Sequence, residues 1–154
     1  MTLWRSVVLV MLAGWLSGCG INNIPTYDEQ VKAAWSQVEN QYQRRADLIP
    51  NLVETAKAYM SHEKDTLTQV IEARNQAVNA KKTAADHPDD TGAVRNLGKA
   101  ESLLSGSLAN FFALTENYPD LKANETMAQL MEELSSTENR IGFARQAFND
   151  AVMN

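Results

Sequence analysis

From Val31 onward, apolar side chains recur every three or four positions. Val31, Trp35, Val38 and Tyr42 form a first stripe. Ile49, Leu52, Val53, Ala56, Met60, Leu67, Val70, Ile71 and Val78 form a second, running to about Lys82. Val94, Leu97, Leu104, Leu108, Phe111 and Leu114 make a third, and Met127, Leu130, Met131, Leu134, Ile141, Phe148 and Val152 a fourth. This spacing marks helices that bury one face. No stretch alternates with period two for long enough to predict a strand. The prolines, Pro25, Pro50, Pro88 and Pro119, all fall between stripes, and helix interiors exclude proline. Four amphipathic helices with short connections predict an all-α fold, an antiparallel up-and-down four-helix bundle.

Local signals sharpen the boundaries. Thr26-Tyr27-Asp28-Glu29 has the form of a capping box and starts the first helix just after Pro25. At Asp47-Leu48-Ile49-Pro50 two readings fit, a tight hairpin with Asp47 capping a new helix and a kinked continuous helix. The hairpin is the expectation. His87-Pro88-Asp89-Asp90 is a polar turn with Asp90 as the next cap. Tyr118-Pro119-Asp120-Leu121 turns the chain again, and Asn124 caps the last helix.

The N-terminus reads as an address. Arg5 precedes Val7 to Trp15, a run without charge. A bilayer core needs ~20 apolar residues, whereas a secretory signal uses ~7–15. An uncleaved anchor would have to extend through Ile21 and Ile24, across Asn22, Asn23 and Pro25. Leu16-Ser17-Gly18-Cys19 resembles the lipobox of bacterial lipoproteins. The resemblance implies cleavage between Gly18 and Cys19 and acylation of Cys19, palmitate included. Gly20 after the cysteine then implies the periplasmic face of the outer membrane in a Gram-negative host. In a Gram-positive host the same signal implies the outer face of the plasma membrane. Three regions are therefore expected: a signal peptide over 1–18, a lipidated cysteine and tether over 19–25, and a helical domain over 26–154.

Composition narrows the chemistry. The 154 residues carry 19 acidic and 14 basic side chains, a formal charge of −5. That balance argues against a nucleic-acid binder with a broad basic face. A single Cys makes no internal disulfide and no Cys-rich metal site, and two His leave little for transition metals. No cofactor is expected. His62 shares a helical face with Asp65, but Glu63 points about 100° away, and no nucleophile is spaced to join them. His87 sits in an acidic turn too short for a dedicated cation site. Trp35 and Tyr42 are expected in the core. Phe111 and Phe112 are adjacent, so one must turn to a neighbouring helix or a partner.

Arg45, Glu63, Arg74, Glu101, Glu138 and Arg145 fall on the apolar stripes, while Arg44 is free to face outward. Burying an isolated charge is costly, so such residues should pair. Antiparallel register places Arg74, Glu101 and Glu138 in one layer and predicts an internal ion-pair network there. A ferritin-type metal centre would need Glu-x-x-His pairs, and neither His has a Glu three residues before it.

Several motifs are similar to those of the LemA family. They are Ala34-Trp35-Ser36-Gln37, Arg44-Arg45-Ala46-Asp47-Leu48-Ile49-Pro50-Asn51-Leu52-Val53, His62-Glu63-Lys64 and Ala73-Arg74-Asn75. Glu116 to Asn124 and Thr137-Glu138-Asn139-Arg140-Ile141 continue the resemblance in order. It implies a helical bundle at the bacterial cell envelope, outside the cytoplasm, with no established activity to transfer. The chain departs from the family pattern at both ends. Members usually begin with an uncleaved anchor, and their last helix runs on into an apolar tail. This one carries a lipobox and stops at Asn154 in mid-pattern, so the tail is either cut off or absent.

The expected function is a non-enzymatic envelope lipoprotein that scaffolds or binds an envelope protein, held to the membrane by its lipid. The alternative is a small-ligand or signal-sensing accessory subunit of an envelope complex.

Overall fold

The computed structural model describes residues 24–88 and 90–153. Gly18, Cys19 and the tether up to Asn23 lie outside these residues. Among these residues five helices follow one another, α1 (Ile24–Lys57), α2 (Lys64–Asp86), α3 (Thr91–Thr115), α4 (Pro119–Ala123) and α5 (Glu125–Met153). No strand occurs among the described residues. The described residues form helices and the turns between them, as the periodicity requires.

Two of the expected caps are in place. Asp90 accepts the Gly92 N–H at 2.7 Å ahead of α3, and Asn124 Oδ1 accepts the Met127 N–H at 2.9 Å ahead of α5. Each satisfies an N–H that has no partner within its helix. The capping box sits differently. The described part of the first helix already includes Ile24, so Thr26 lies inside the helix instead of in front of it. The turn expected over Tyr118 to Leu121 contains the short helix α4, with Pro119 at its start.

The hairpin expected at Pro50 is absent. The first helix runs through Pro50 without interruption, and the chain turns between Lys57 and Lys64 instead. Asp47 is therefore no cap; its carboxylate accepts from Gln43 Nε2 at 2.7 Å within the same helix. A proline in a helix leaves the carbonyl four residues earlier without its N–H. That carbonyl belongs to Ala46, and Arg74 Nε of α2 donates to it at 2.8 Å. The break predicted from local chemistry is repaired by a side chain 28 positions away.

Pairings fix the directions of the helices. Trp35 meets Phe148 at 5.0 Å between ring centroids, Arg45 meets Glu138, and the Tyr59 hydroxyl accepts from Asn124 Nδ2. Residue numbers fall along α5 as they rise along α1, so the two run antiparallel. Lys81 Nζ to Gln43 and Arg74 to Ala46 set the same sense between α1 and α2.

The buried apolar residues form two clusters. Ile49, Leu52, Leu104, Leu108, Phe111, Met127 and Leu134 belong to the larger, near the α1–α2 turn. Val38, Tyr42, Leu97 and Ile141 belong to the smaller, toward the start of α1 and the end of α5. Trp35 and Phe148 pack against its edge. Phe111 is fully buried, and Phe112 is the one turned aside, half-buried against the larger cluster.

Candidate functional site

Between the two clusters lies one polar layer. Arg45 follows Tyr42 by three positions and precedes Ile49 by four. Glu101 stands between Leu97 and Leu104, and Glu138 between Leu134 and Ile141. Helical spacing therefore brings all three to the same interior face, at the level where one apolar cluster stops and the next begins. Arg45 is 0% exposed and Glu101 4%.

The guanidinium joins three helices. Its Nη2 donates to the Glu101 carboxylate and, at 3.2 Å, to the Glu101 carbonyl. Its Nη1 donates to Glu138 Oε1 at 2.5 Å and to Ser105 Oγ at 2.6 Å. The Ser105 hydroxyl in turn donates to Glu138 Oε2 at 3.0 Å. The Arg45 Cζ also lies 5.7 Å from the centre of the Tyr42 ring, within cation–π reach. Arg45 Nε is buried without a protein partner.

One cation facing two carboxylates leaves the layer with a net negative charge. Burial pushes the Glu101 carboxyl above its ordinary range, against the opposing pull of Arg45, and nearby Glu138 adds to the rise. Burial likewise raises the Tyr42 hydroxyl. Glu138 keeps 28% side-chain exposure, so solvent takes up part of its charge. Charges with this many interior partners are held in position. A shift of α1, α3 or α5 by one turn would set Arg45 or a carboxylate against apolar side chains, so the layer locks helix register.

The other stripe charges lie elsewhere. Arg74 is level with this layer but faces α1, bonding the Ala46 carbonyl instead of Glu101 or Glu138. Glu63 accepts the Tyr118 hydroxyl at 2.9 Å at the α1–α2 turn, a bond that raises the Tyr118 pKa. Its carboxylate consequently makes no cap for α2. Arg145 is exposed beside a cavity of about 140 Å³ lined by Trp35, Tyr42 and Phe148. The network expected around Arg74 is thus centred on Arg45. Counting register places a residue at a height along the helix, but its direction depends on rotation, about 100° per residue. Ser105 was not singled out from sequence. Its signal was its place four residues after Glu101, on the same helical face.

Arg44, adjacent in sequence, points outward and pairs with Glu133 of α5. His62 and His87 are not gathered with other ligating groups: among the described residues no group of three or more His, Cys, Asp or Glu lies where an ion could sit. No described helix is long and apolar enough to cross a membrane. A groove of about 750 Å³ lies between α1 and α2, which sequence reasoning did not anticipate.

Comparison with known proteins adds relationship to geometry. Magnetosome proteins MamQ 1 and MamQ 2 of Paramagnetospirillum magneticum are each 26% identical over 146 residues, covering 85% of this chain and 54% of theirs. Magnetosome protein MamQ of Magnetospirillum gryphiswaldense is 27% identical over 143 residues, covering 83% of this chain and 53% of its own. The chain spans about half the length of the curated relatives it matches. The family model for LemA matches residues 34–154, which include the Arg45 layer and the α1–α2 turn. This protein belongs to the LemA family.

Proposed function

We propose that the protein is a non-enzymatic scaffold of the cell envelope, tethered to the membrane through a lipid on Cys19. In this reading residues 1–18 are removed, residues 19–23 form the tether, Ile24 and Pro25 being already part of α1, and the four long helices make an antiparallel up-and-down bundle on the non-cytoplasmic side. The observation that carries it is the Arg45 layer. Its strongest charges are consumed by one another inside the core, and they hold α1, α3 and α5 together as a rigid post. The first helix alone has 34 residues, about 50 Å at ~1.5 Å per residue. The α1–α2 turn then stands far from the end where the tether joins. Two or more acyl chains give a firm anchor, since each buried CH₂ contributes ~0.8 kcal/mol.

Relatives named as magnetosome proteins support a role in assembling a cellular structure. They are about twice as long, so their full function is not carried over.

Mass spectrometry of the protein isolated from its host tests the anchor. An acylated peptide beginning at Cys19 is expected, and an intact peptide beginning at Met1 refutes it. Cross-linking in whole cells tests the scaffold. A reproducible heterologous partner supports it, and recovery of the chain alone in every preparation refutes it.

A further inference from the structure

We propose that the groove between α1 and α2 binds an anionic amphiphile, an acyl chain ending in a carboxylate or a phosphate. The groove runs along α1 from Pro50 to Lys57 and along α2 from Lys64 to Ile71. Its volume of about 750 Å³ falls within the ~300–1,000 Å³ common for small-molecule sites. Its floor is apolar. Val53 and Leu67 offer only small exposed edges there, Met60 lies fully buried beneath, and Pro50 and Ile71 line the sides. Met60 sits in the turn that closes one end, and its flexible thioether adapts to what lies against it.

The mouth supplies the charge. Lys57 and Lys64 stand on the rim with Glu54 as the only acidic lining residue. The rim is therefore net positive on a chain whose overall charge is −5. Glu54 holds the Lys57 ammonium at 2.8 Å. No such ion pair involves Lys64 among the described residues, which leaves its ammonium for an anionic head. Ser61 and Thr68 add hydroxyls at the same edge. An apolar floor with a cation at its mouth complements a tail and an anionic head.

Size decides against a folded protein partner. A stable protein interface takes ~20–30 residues from each side, and ten line this groove. The head chemistry could come from a free fatty acid or from a phosphoryl lipid. The inference is independent of the scaffold reading and of acylation at Cys19.

The test uses the full chain in lipid nanodiscs and three photoreactive diazirine probes, decanoate, octyl phosphate and neutral decanol. Cross-linked peptides are mapped by mass spectrometry. At least one anionic probe is expected to label residues 50–71 at least fivefold more than decanol does. Lys64→Glu should lower that labelling at least fivefold, and so should Ile71→Glu, which puts a carboxylate in the tail channel. Lys99→Glu, on exposed α3 surface, should leave it unchanged. Circular dichroism checks that each variant keeps its helix content. Labelling by decanoate alone assigns a carboxylate head, and by octyl phosphate alone a phosphoryl head. Labelling spread over all helices, equal labelling by decanol, or labelling indifferent to Lys64→Glu overturns the proposal.

Discussion

Removing the Arg74 guanidinium should cost stability only while residue 50 is proline. Pro50 has no N–H to give the Ala46 carbonyl, and Arg74 Nε supplies the missing donor at 2.8 Å. A hydrogen bond from a charged group contributes ~1.5–3 kcal/mol net. Arg74 is half-buried, so its share belongs near the lower end of that range, about 1.5 kcal/mol. Arg74→Met keeps the aliphatic stem in place and removes the donor. In Pro50→Ala the restored backbone N–H at position 50 reaches the same carbonyl along the helix, and Arg74 becomes redundant. The cost of Arg74→Met should then fall below about 0.5 kcal/mol, a coupling of about 1 kcal/mol across the double-mutant cycle. Pro50→Ala alone should stabilise. The ~3 kcal/mol helix penalty of proline is offset in part by the stiffness it gives the unfolded chain, ~0.4–1 kcal/mol. Urea unfolding of the four proteins, followed by helix signal, measures every corner. Equal costs of Arg74→Met in both backgrounds would refute the idea that Arg74 repairs the helix at Pro50.

Three further outcomes follow from the polar layer and the caps. Arg45→Leu strands two carboxylates and should cost about 3–5 kcal/mol, whereas replacing Arg45, Glu101 and Glu138 together by leucine should recover most of that in urea midpoints. For Glu101, burial raises the folded-state pKa above the ordinary 4.5, so the folded protein binds this proton more tightly than the unfolded chain. That stabilisation is complete below pH 4.5 and is lost as pH rises through the folded-state value. The stability of the wild type relative to Glu101→Gln should accordingly fall as pH rises above 4.5, and a rise would show that Arg45 outweighs burial. Asn124→Ala removes the cap of α5 and should lower stability by about 1 kcal/mol, read as a shift in thermal midpoint.

Motif resemblance led to the right family, and the two interhelix caps were legible because each is a contact between near neighbours. Asp90 reaches two residues ahead and Asn124 three, so the tetrapeptide contains both partners. The Arg45 layer was half legible. Charges on apolar stripes announced a buried network, and Glu101 and Glu138 belong to it. Which arginine stands between them was hidden, because Arg45 and Arg74 lie at the same height and differ in the direction they face. The groove had no sequence signal at all. Its floor residues read as ordinary core positions, and its existence depends on how far α1 and α2 separate near their shared turn.

What the sequence by itself determined is the helical period, the all-α class, two caps and the set of charges that had to find partners. These depend on neighbours within about one turn and survive any arrangement of the helices. Only the tertiary structure decided that the first helix crosses Pro50, that the chain turns at Met60 instead, and that Arg45 holds the centre. Each of those outcomes depends on a partner tens of residues away, and its energy exists only once the helices have docked.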